Sequence, residues 1–326
     1  MRKTYAAKLR NVLSASIASG RLADDLNELT RAELEFIAHD WEIWARDDQL
    51  APLLIAPGDS PAGSRPPGAL DVARDSSNEA AASGRLAERE SEAAIKQWRV
   101  WLLLGGRGSG KTRAGAEWVR SLARDEGTSP RATAGSPQGS HGAQSKNQPA
   151  RIALVGKTLA DVRNVMIEGQ SGLLAIHPAH ERPEFEPSKR RLTWPNGAVA
   201  ELFSADEAEA LRGPQFTAAW CDELAKWRGA ERAWDMLQFA LRLGETPRVC
   251  VTTTPRNTKL LKQIIADETT VTVNLATADN ATNLAPSFLA EMTRRYAGSA
   301  IGRQELLGEI VEDASDGLWR RHWIEE

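Results

Sequence analysis

The chain predicts an α/β fold, a mainly parallel sheet with helices on both faces, and three stretches of it carry that prediction. The first is Trp98 to Arg120, WRVWLLLGGRGSGKTRAGAEWVR, where an apolar run, a glycine loop and a segment of helical period follow one another. The second is Phe216 to Glu223, FTAAWCDE, an apolar run that ends in two carboxylates. The third is the alternation of short apolar runs with helix-period segments from Arg151 onward. Strands alternating with helices imply a parallel sheet. The ligand of such a sheet sits at the C-terminal edge of its strands.

In chain order, residues 1–55 read as a helical segment. Leu26, Leu29, Leu34, Ile37, Trp41 and Trp44 recur every three or four positions. Thr30, with Glu33 three residues on, has the form of a capping box. In Trp44 to Pro52, WARDDQLAP, the Gln49 amide suits the edge of an adenine, and Arg46 suits the base or ribose. A helix end closed by Pro52 accounts for the same residues. Residues 56–94 are rich in Ala, Ser, Gly, Pro and charge. They cannot bury enough apolar surface to offset the entropy of ordering and read as a disordered insertion. Residues 127–150 read the same way, as a second insertion within a core that runs from 95 to 312.

The core opens with a buried strand over Val100–Leu104. Gly105, Gly106, Arg107, Gly108, Ser109, Gly110, Lys111 and Thr112 then fit G-x-x-x-x-G-K-[ST] at every position. Glycines let successive N–H groups converge on an anion, and a helix starting near Lys111 adds its positive dipole end. Lys111 is expected on the β- and γ-phosphates of ATP, and the Thr112 hydroxyl on Mg²⁺. Ala114, Trp118, Val119 and Leu122 continue at helical spacing to Gly127.

After the second insertion, Ile152–Val155 reads as a strand and Thr158–Asp161 as the cap of a helix through Ile167. Phe185–Trp194 and Val199–Phe203 read as strands joined at Asn196-Gly197, a hairpin signal. A helix from Ala205 to Leu211 stops at Gly213-Pro214. At the end of the 216–223 run, Asp222 is expected to hold Mg²⁺, and Glu223 to orient and deprotonate the attacking water. An isolated Asp-Glu more often caps a helix; its place after an apolar run and a phosphate loop favours chemistry. A helix over 230–243 is capped by Gly244. Val249–Pro255 is a strand ending in Thr252, Thr253 and Thr254, hydroxyls placed to sense the γ-phosphate. A further strand, Val271–Leu275, and helices over Pro286–Tyr296 and Ser299–Glu309 complete the core. At least one strand is expected between the loop strand and the Asp-Glu strand, the arrangement of the additional-strand, catalytic-glutamate P-loop ATPases.

The chain has 326 residues and a net charge of −3, so any contact with nucleic acid must come from a local patch. Lys189-Arg190-Arg191 and Arg294-Arg295 are the candidates. Two cysteines, Cys221 and Cys250, give neither a disulfide framework nor a C-x-x-C pair, and suit a reducing cytosol. No apolar run approaches the length of a membrane span.

Together these stretches resemble the large terminase subunit of tailed phages, in the form carried by gene transfer agents and related prophages. The resemblance lies in WLLLGGRGSGKTRAGAEWVR, RIALVGKTLADVRNVMIEGQSGLL, RRLTWPNGAVAELFSADEAEALRGPQFTAAWCDELAKW, DMLQFALRLGETPRVCVTTTP and NLAPSFLAEM with GRQELLGEIVED. It implies an ATP-driven motor that threads double-stranded DNA through a portal protein into a capsid as a homo-oligomeric ring. A small terminase subunit is a further partner, and the setting is the bacterial cytoplasm, docked at the procapsid portal. It also implies roles: Gln49 as adenine reader, Thr252–Thr254 as the coupling motif, Arg107 as an arginine that moves onto the γ-phosphate, and Arg212 as one offered to a neighbour's ATP. The family continues into a ribonuclease-H-like nuclease. Residues 313–326 read as the entry to it, and Asp313, Asp316, Glu325 and Glu326 make no nuclease site alone, so endonuclease activity is not expected. Two other readings are a helicase, for which too few residues follow Thr254 to build a second lobe, and a decayed protein that binds ATP or DNA without turnover.

Overall fold

The computed structural model describes residues 2–52, 98–124 and 149–311, with side chains from residue 8. The expected insertion at 56–94, nearly all of that at 127–150, the stop at Gly127 and the linker at 313–326 lie outside the described residues.

Four helices come first: α1 (Arg2–Ala18), α2 (Leu22–Asn27), α3 (Arg31–His39) and α4 (Trp41–Trp44). The Thr30 hydroxyl accepts from Glu33 N and the Glu33 carboxylate accepts from Thr30 N, so the capping box forms as expected. The core follows with β1 (Val100–Gly105), α5 (Lys111–Arg124), β2 (Arg151–Gly156), α6 (Leu159–Asp161), α7 (Leu173–Ile176), β3 (Glu184–Glu186), β4 (Arg191–Thr193) and β5 (Val199–Ser204). Then come β6 (Ala218–Asp222), α8 (Ala230–Ala240), β7 (Arg248–Thr253), α9 (Lys259–Ala266), β8 (Thr270–Leu275), α10 (Pro286–Tyr296) and α11 (Ala300–Gly302).

The eight strands form one sheet in the order β3-β4-β5-β2-β6-β7-β1-β8. From β5 to β8 in that order every pairing is parallel, while β3 pairs antiparallel with β4 across the turn at Pro187–Lys189, and β4 with β5 across the Asn196-Gly197 turn. β7 lies between β1 and β6, so the expected intervening strand is present. The fold class is therefore the predicted one.

β1 is buried at every residue because both its faces are covered. Trp101 and Leu103 join Trp118, Leu154 and Trp220 under α5. Leu102 and Leu104 join Phe216, Leu237 and Leu261 under α8 and α9. One contact sets how close α5 lies to the sheet. A Cβ at Gly115, in the middle of α5, would run into the indole of Trp220. A helix-interior glycine, costing about 1 kcal/mol against Ala, is kept here by close approach.

The structure corrects several element boundaries. The helix expected over 230–243 ends at Ala240, and Gly244 (φ +77°) turns a loop instead of capping it. The cause is tertiary: Phe216 N donates to Ala240 O and Leu243 N to Phe216 O, drawing the end of the helix onto the strand before β6. Phe185–Trp194 is two short strands broken by a 3₁₀ turn at Pro187–Lys189, after which Arg190 takes φ +52°. Ala205–Leu211 is 3₁₀, kinked at Glu207. Val162–Ile167 and Arg303–Leu307 are π-helical turns. Among the described residues no helix is long and apolar enough to cross a membrane.

Candidate active site

The loop after β1 is held by its carbonyls. Lys111 Nζ donates to Gly105 O and Gly106 O, both at 2.8 Å, and Ser109 Oγ donates to Gly106 O at 2.9 Å. Thr277 Oγ1 donates to Arg107 O at 2.8 Å and Asn280 Nδ2 to Gly108 O at 2.7 Å. Arg46 Nη2 donates to Ser109 O at 3.0 Å, and Gln49 Nε2 to Gly110 O at 3.4 Å. Six successive carbonyls are thus tied to the surrounding protein. At the head of α5, first-turn N–H groups lack intrahelical partners, and with the helix dipole they favour an anion. Gly108 and Gly110 take φ of +71° and +92°, and a side chain at Gly110 would collide with Gln49.

The structure places Arg46 and Gln49 beside the loop, with their polar ends on its backbone carbonyls. Gln49 is 5% exposed and its Oε1 accepts from Arg46 N. Arg46 also pairs with Asp48 at 3.1 Å. Lys111 is buried, which lowers its pKa against the attraction of Glu223 and Asp222. Thr112 follows it in the first turn of α5.

The carboxylates come from the end of β6. Asp222 pairs in register with Thr252 on β7, whose hydroxyl donates to Asp222 Oδ1 at 2.6 Å while accepting from Trp220 Nε1 at 2.9 Å. Trp227 Nε1 fixes the Asp222 carbonyl at 2.9 Å. Burial pushes the Asp222 carboxyl up to about 6, the Glu223 charge adds to this, and the Thr252 hydroxyl and Lys111 oppose it. Glu223 sits at φ +52°, ψ +41°, a left-handed backbone that is uncommon outside glycine and clusters at functional sites. Its Oε2 accepts from Thr254 N at 3.3 Å, its Oε1 from the Thr254 hydroxyl at 3.4 Å, and Lys226 Nζ stands 3.0 Å away. Thr253 Oγ1 accepts from Ala225 N at 3.1 Å, holding the turn that follows Glu223. The three threonines at the end of β7 therefore touch both carboxylates and the turn that bears them.

The arginines differ. Arg107 lies in the loop, 72% exposed, with its guanidinium on Glu305 at 2.9 Å. Arg212 lies on the surface after the Ala205–Leu211 turn, 79% exposed, 3.5 Å from Glu209. Sequence reasoning missed Thr277 and Asn280, which lie far along the chain and carry no motif of their own, and gave no role to Glu305 within GRQELLGEIVED. A cleft of about 440 Å³ between α8 and α9 reaches Val100 and Thr270, the first residues of β1 and β8, so it opens at the opposite end of the strands from this site.

The sequence profile described as "Terminase large subunit, T4likevirus-type, N-terminal" matches residues 102–326, more than half of the chain. The chain belongs to that family. Among curated proteins none matches. Three large terminases of known structure are similar to it. One, from a thermophilic bacteriophage and in complex with ADP, is 15% identical, covering 65% of this chain and 48% of that one, with a TM-score of 0.49. The ATPase domain of the Thermus phage P74-26 enzyme is 14% identical, covering 66% and 90%, with a TM-score of 0.46. The large terminase of bacteriophage HK97 is 18% identical, covering 65% and 47%, with a TM-score of 0.45. The chain thus spans about half the length of the first and the third of these terminases.

The site of this terminase fits a nucleoside triphosphate with a divalent cation. Its loop, tied by its carbonyls and opening onto a helix N-terminus, suits phosphate oxygens. Asp222 is a buried carboxylate that stays costly to ionise until a cation joins it, and with the Thr112 hydroxyl it offers the oxygen donors that Mg²⁺ takes alongside substrate phosphates.

Proposed function

We propose that this chain is the ATP-hydrolysing motor portion of a large terminase, which drives double-stranded DNA through a portal protein into a capsid. The observation that carries this reading is the pair Asp222–Glu223, at the end of β6 with one strand, β7, between it and the strand of the phosphate loop, and gripped by the threonine row that ends β7. The division of labour runs along the chain: in the N-terminal segment, 1–55, Arg46 and Gln49 buttress the loop, and 95–312 is the ATPase core.

Lys111 exchanges the Gly105 and Gly106 carbonyls for phosphate oxygens. Thr112 and Asp222 would hold Mg²⁺, whose charge offsets that of the phosphates. Glu223 takes the proton of the attacking water, a role that a kinase transferring phosphate to a bound substrate does not need. Because Thr254 binds the Glu223 carboxylate through both N–H and hydroxyl, a shift at Glu223 reaches β7, and we assign Thr252, Thr253 and Thr254 the coupling of hydrolysis to DNA movement. Gln49 and Arg46 border the adenine. Arg212, exposed on the surface, serves a neighbour's ATP in a ring docked at the portal in the bacterial cytoplasm, with a small terminase subunit as a further partner.

The test is ATP hydrolysis with Mg²⁺ over a protein concentration series, with and without linear duplex DNA. Turnover per chain is expected to rise with concentration and with DNA. ATP binding without turnover under every condition favours the decayed reading instead.

A further inference from the structure

The π-helical turn Arg303–Leu307 returns to the phosphate loop from far along the chain. Arg107 N donates to Glu305 O at 2.7 Å, and Arg107 Nε to Glu305 Oε2 at 2.9 Å. Gln304 Nε2 donates to Glu305 Oε1 at 3.1 Å, so both carboxylate oxygens are engaged. Thr277 ties the same turn to the loop, its N–H donating to Leu306 O at 2.7 Å and its hydroxyl to Arg107 O. The fit is tight: a Cβ at Gly106 would stand 2.6 Å from Glu305 O and 2.7 Å from Leu306 O. π-Turns are rare and recur at functional sites.

The two members of this ion pair are not held alike. Glu305 is 22% exposed and anchored through its main chain, whereas the Arg107 side chain is 72% exposed. Arg107 is also attracted by Glu223. A long arginine with an exposed head can leave one carboxylate for a better anion, and phosphate accepts guanidinium through two parallel bonds.

We propose that Glu305 is a positioning residue for Arg107: it holds the guanidinium beside the loop in competition with the third phosphate of a nucleoside triphosphate, so that leaving Glu305 is a cost that triphosphate binding meets and diphosphate binding does not. This rests on the nucleotide reading above. Arg107 must give up an exposed ion pair to reach the phosphate, and such a pair converts to about two- to fivefold in affinity.

Calorimetric titration with ATPγS and with ADP, in Mg²⁺, tests it on wild type, Glu305→Gln, Arg107→Ala and the double variant. Glu305→Gln is expected to bind ATPγS about two- to fivefold tighter and ADP unchanged. In the Arg107→Ala background the same substitution is expected to change neither. The Arg107 N to Glu305 O bond survives any side chain at 305, and Glu305→Ala repeats the readout. Equal changes for ATPγS and ADP, weaker binding, or tightening that persists without Arg107 would each overturn the proposal while leaving the nucleotide reading intact. A wild type that binds neither nucleotide removes that reading, and this proposal with it.

Discussion

Glu223→Gln is expected to lower ATP hydrolysis by about 10² to 10⁴-fold while leaving the affinity for ATPγS within about twofold of wild type. A glutamine at this position keeps the size of the side chain and can still accept from Thr254, so the turn after β6 and the left-handed backbone have no reason to change. What disappears is the negative oxygen that takes a proton, and with it the partner of Lys226. The split follows from the division of the site. In the proposed reading, the loop and Lys111 on β1 and α5 bind phosphate, while the base, Glu223, follows β6, two strands across. Phosphate release and calorimetry on the same preparations measure the two halves. A parallel loss of binding and turnover would make Glu223 a structural residue.

Asp222 gives the second large effect, on stability. Its carboxyl is raised from 3.8 to about 6 by burial. Below about pH 4 the group is protonated in both the folded and the unfolded chain and contributes no pH dependence. As pH rises past the unfolded value, the unfolded chain sheds its proton first, so the native state loses stability until about pH 6, where the loss levels off. A gap of about two pKa units converts to ~3 kcal/mol. Asp222→Asn carries no such penalty and keeps an oxygen that can accept from Thr252. Thermal unfolding in chelator, without nucleotide, is therefore expected to show the wild-type Tm falling relative to Asp222→Asn between pH 4 and pH 6, then running parallel. A constant difference across that range contradicts the assignment of Asp222 as the buried, costly carboxylate.

Much of this was legible in the sequence because it is local. The glycine loop, Lys111 and the Asp222–Glu223 pair lie in unbroken stretches, each an apolar run that leads straight into its polar residues, and the intervening strand was expected without its identity. Lys111 needed nothing beyond the loop that precedes it. The capping box at Thr30 and the turn at Asn196-Gly197 were legible for the same reason. What escaped was set by contacts between distant segments. Thr277, Asn280 and Glu305 hold loop groups from more than 150 positions away; nothing in the neighbourhood of Thr277 and Asn280 marks them, and the stretch GRQELLGEIVED marks a family likeness around Glu305 without saying what that residue touches. The early end of α8 comes from backbone bonds with Phe216, which the helical period of residues 230–243 does not encode. Gly115 did leave a signal, a glycine in the middle of a strong helix. Its cause, the indole of Trp220, lay on another strand.

The central claim is that this loop binds a nucleoside triphosphate through Lys111 with its cation at Asp222. The most direct test is a structure determined with ATPγS and Mg²⁺. The account predicts Lys111 Nζ on phosphate oxygens and off the Gly105 and Gly106 carbonyls, with the cation bound by Thr112 and Asp222 and the Glu223 carboxylate facing the terminal phosphate. A nucleotide bound elsewhere, or one bound at the loop with Lys111 still on those two carbonyls, would contradict it.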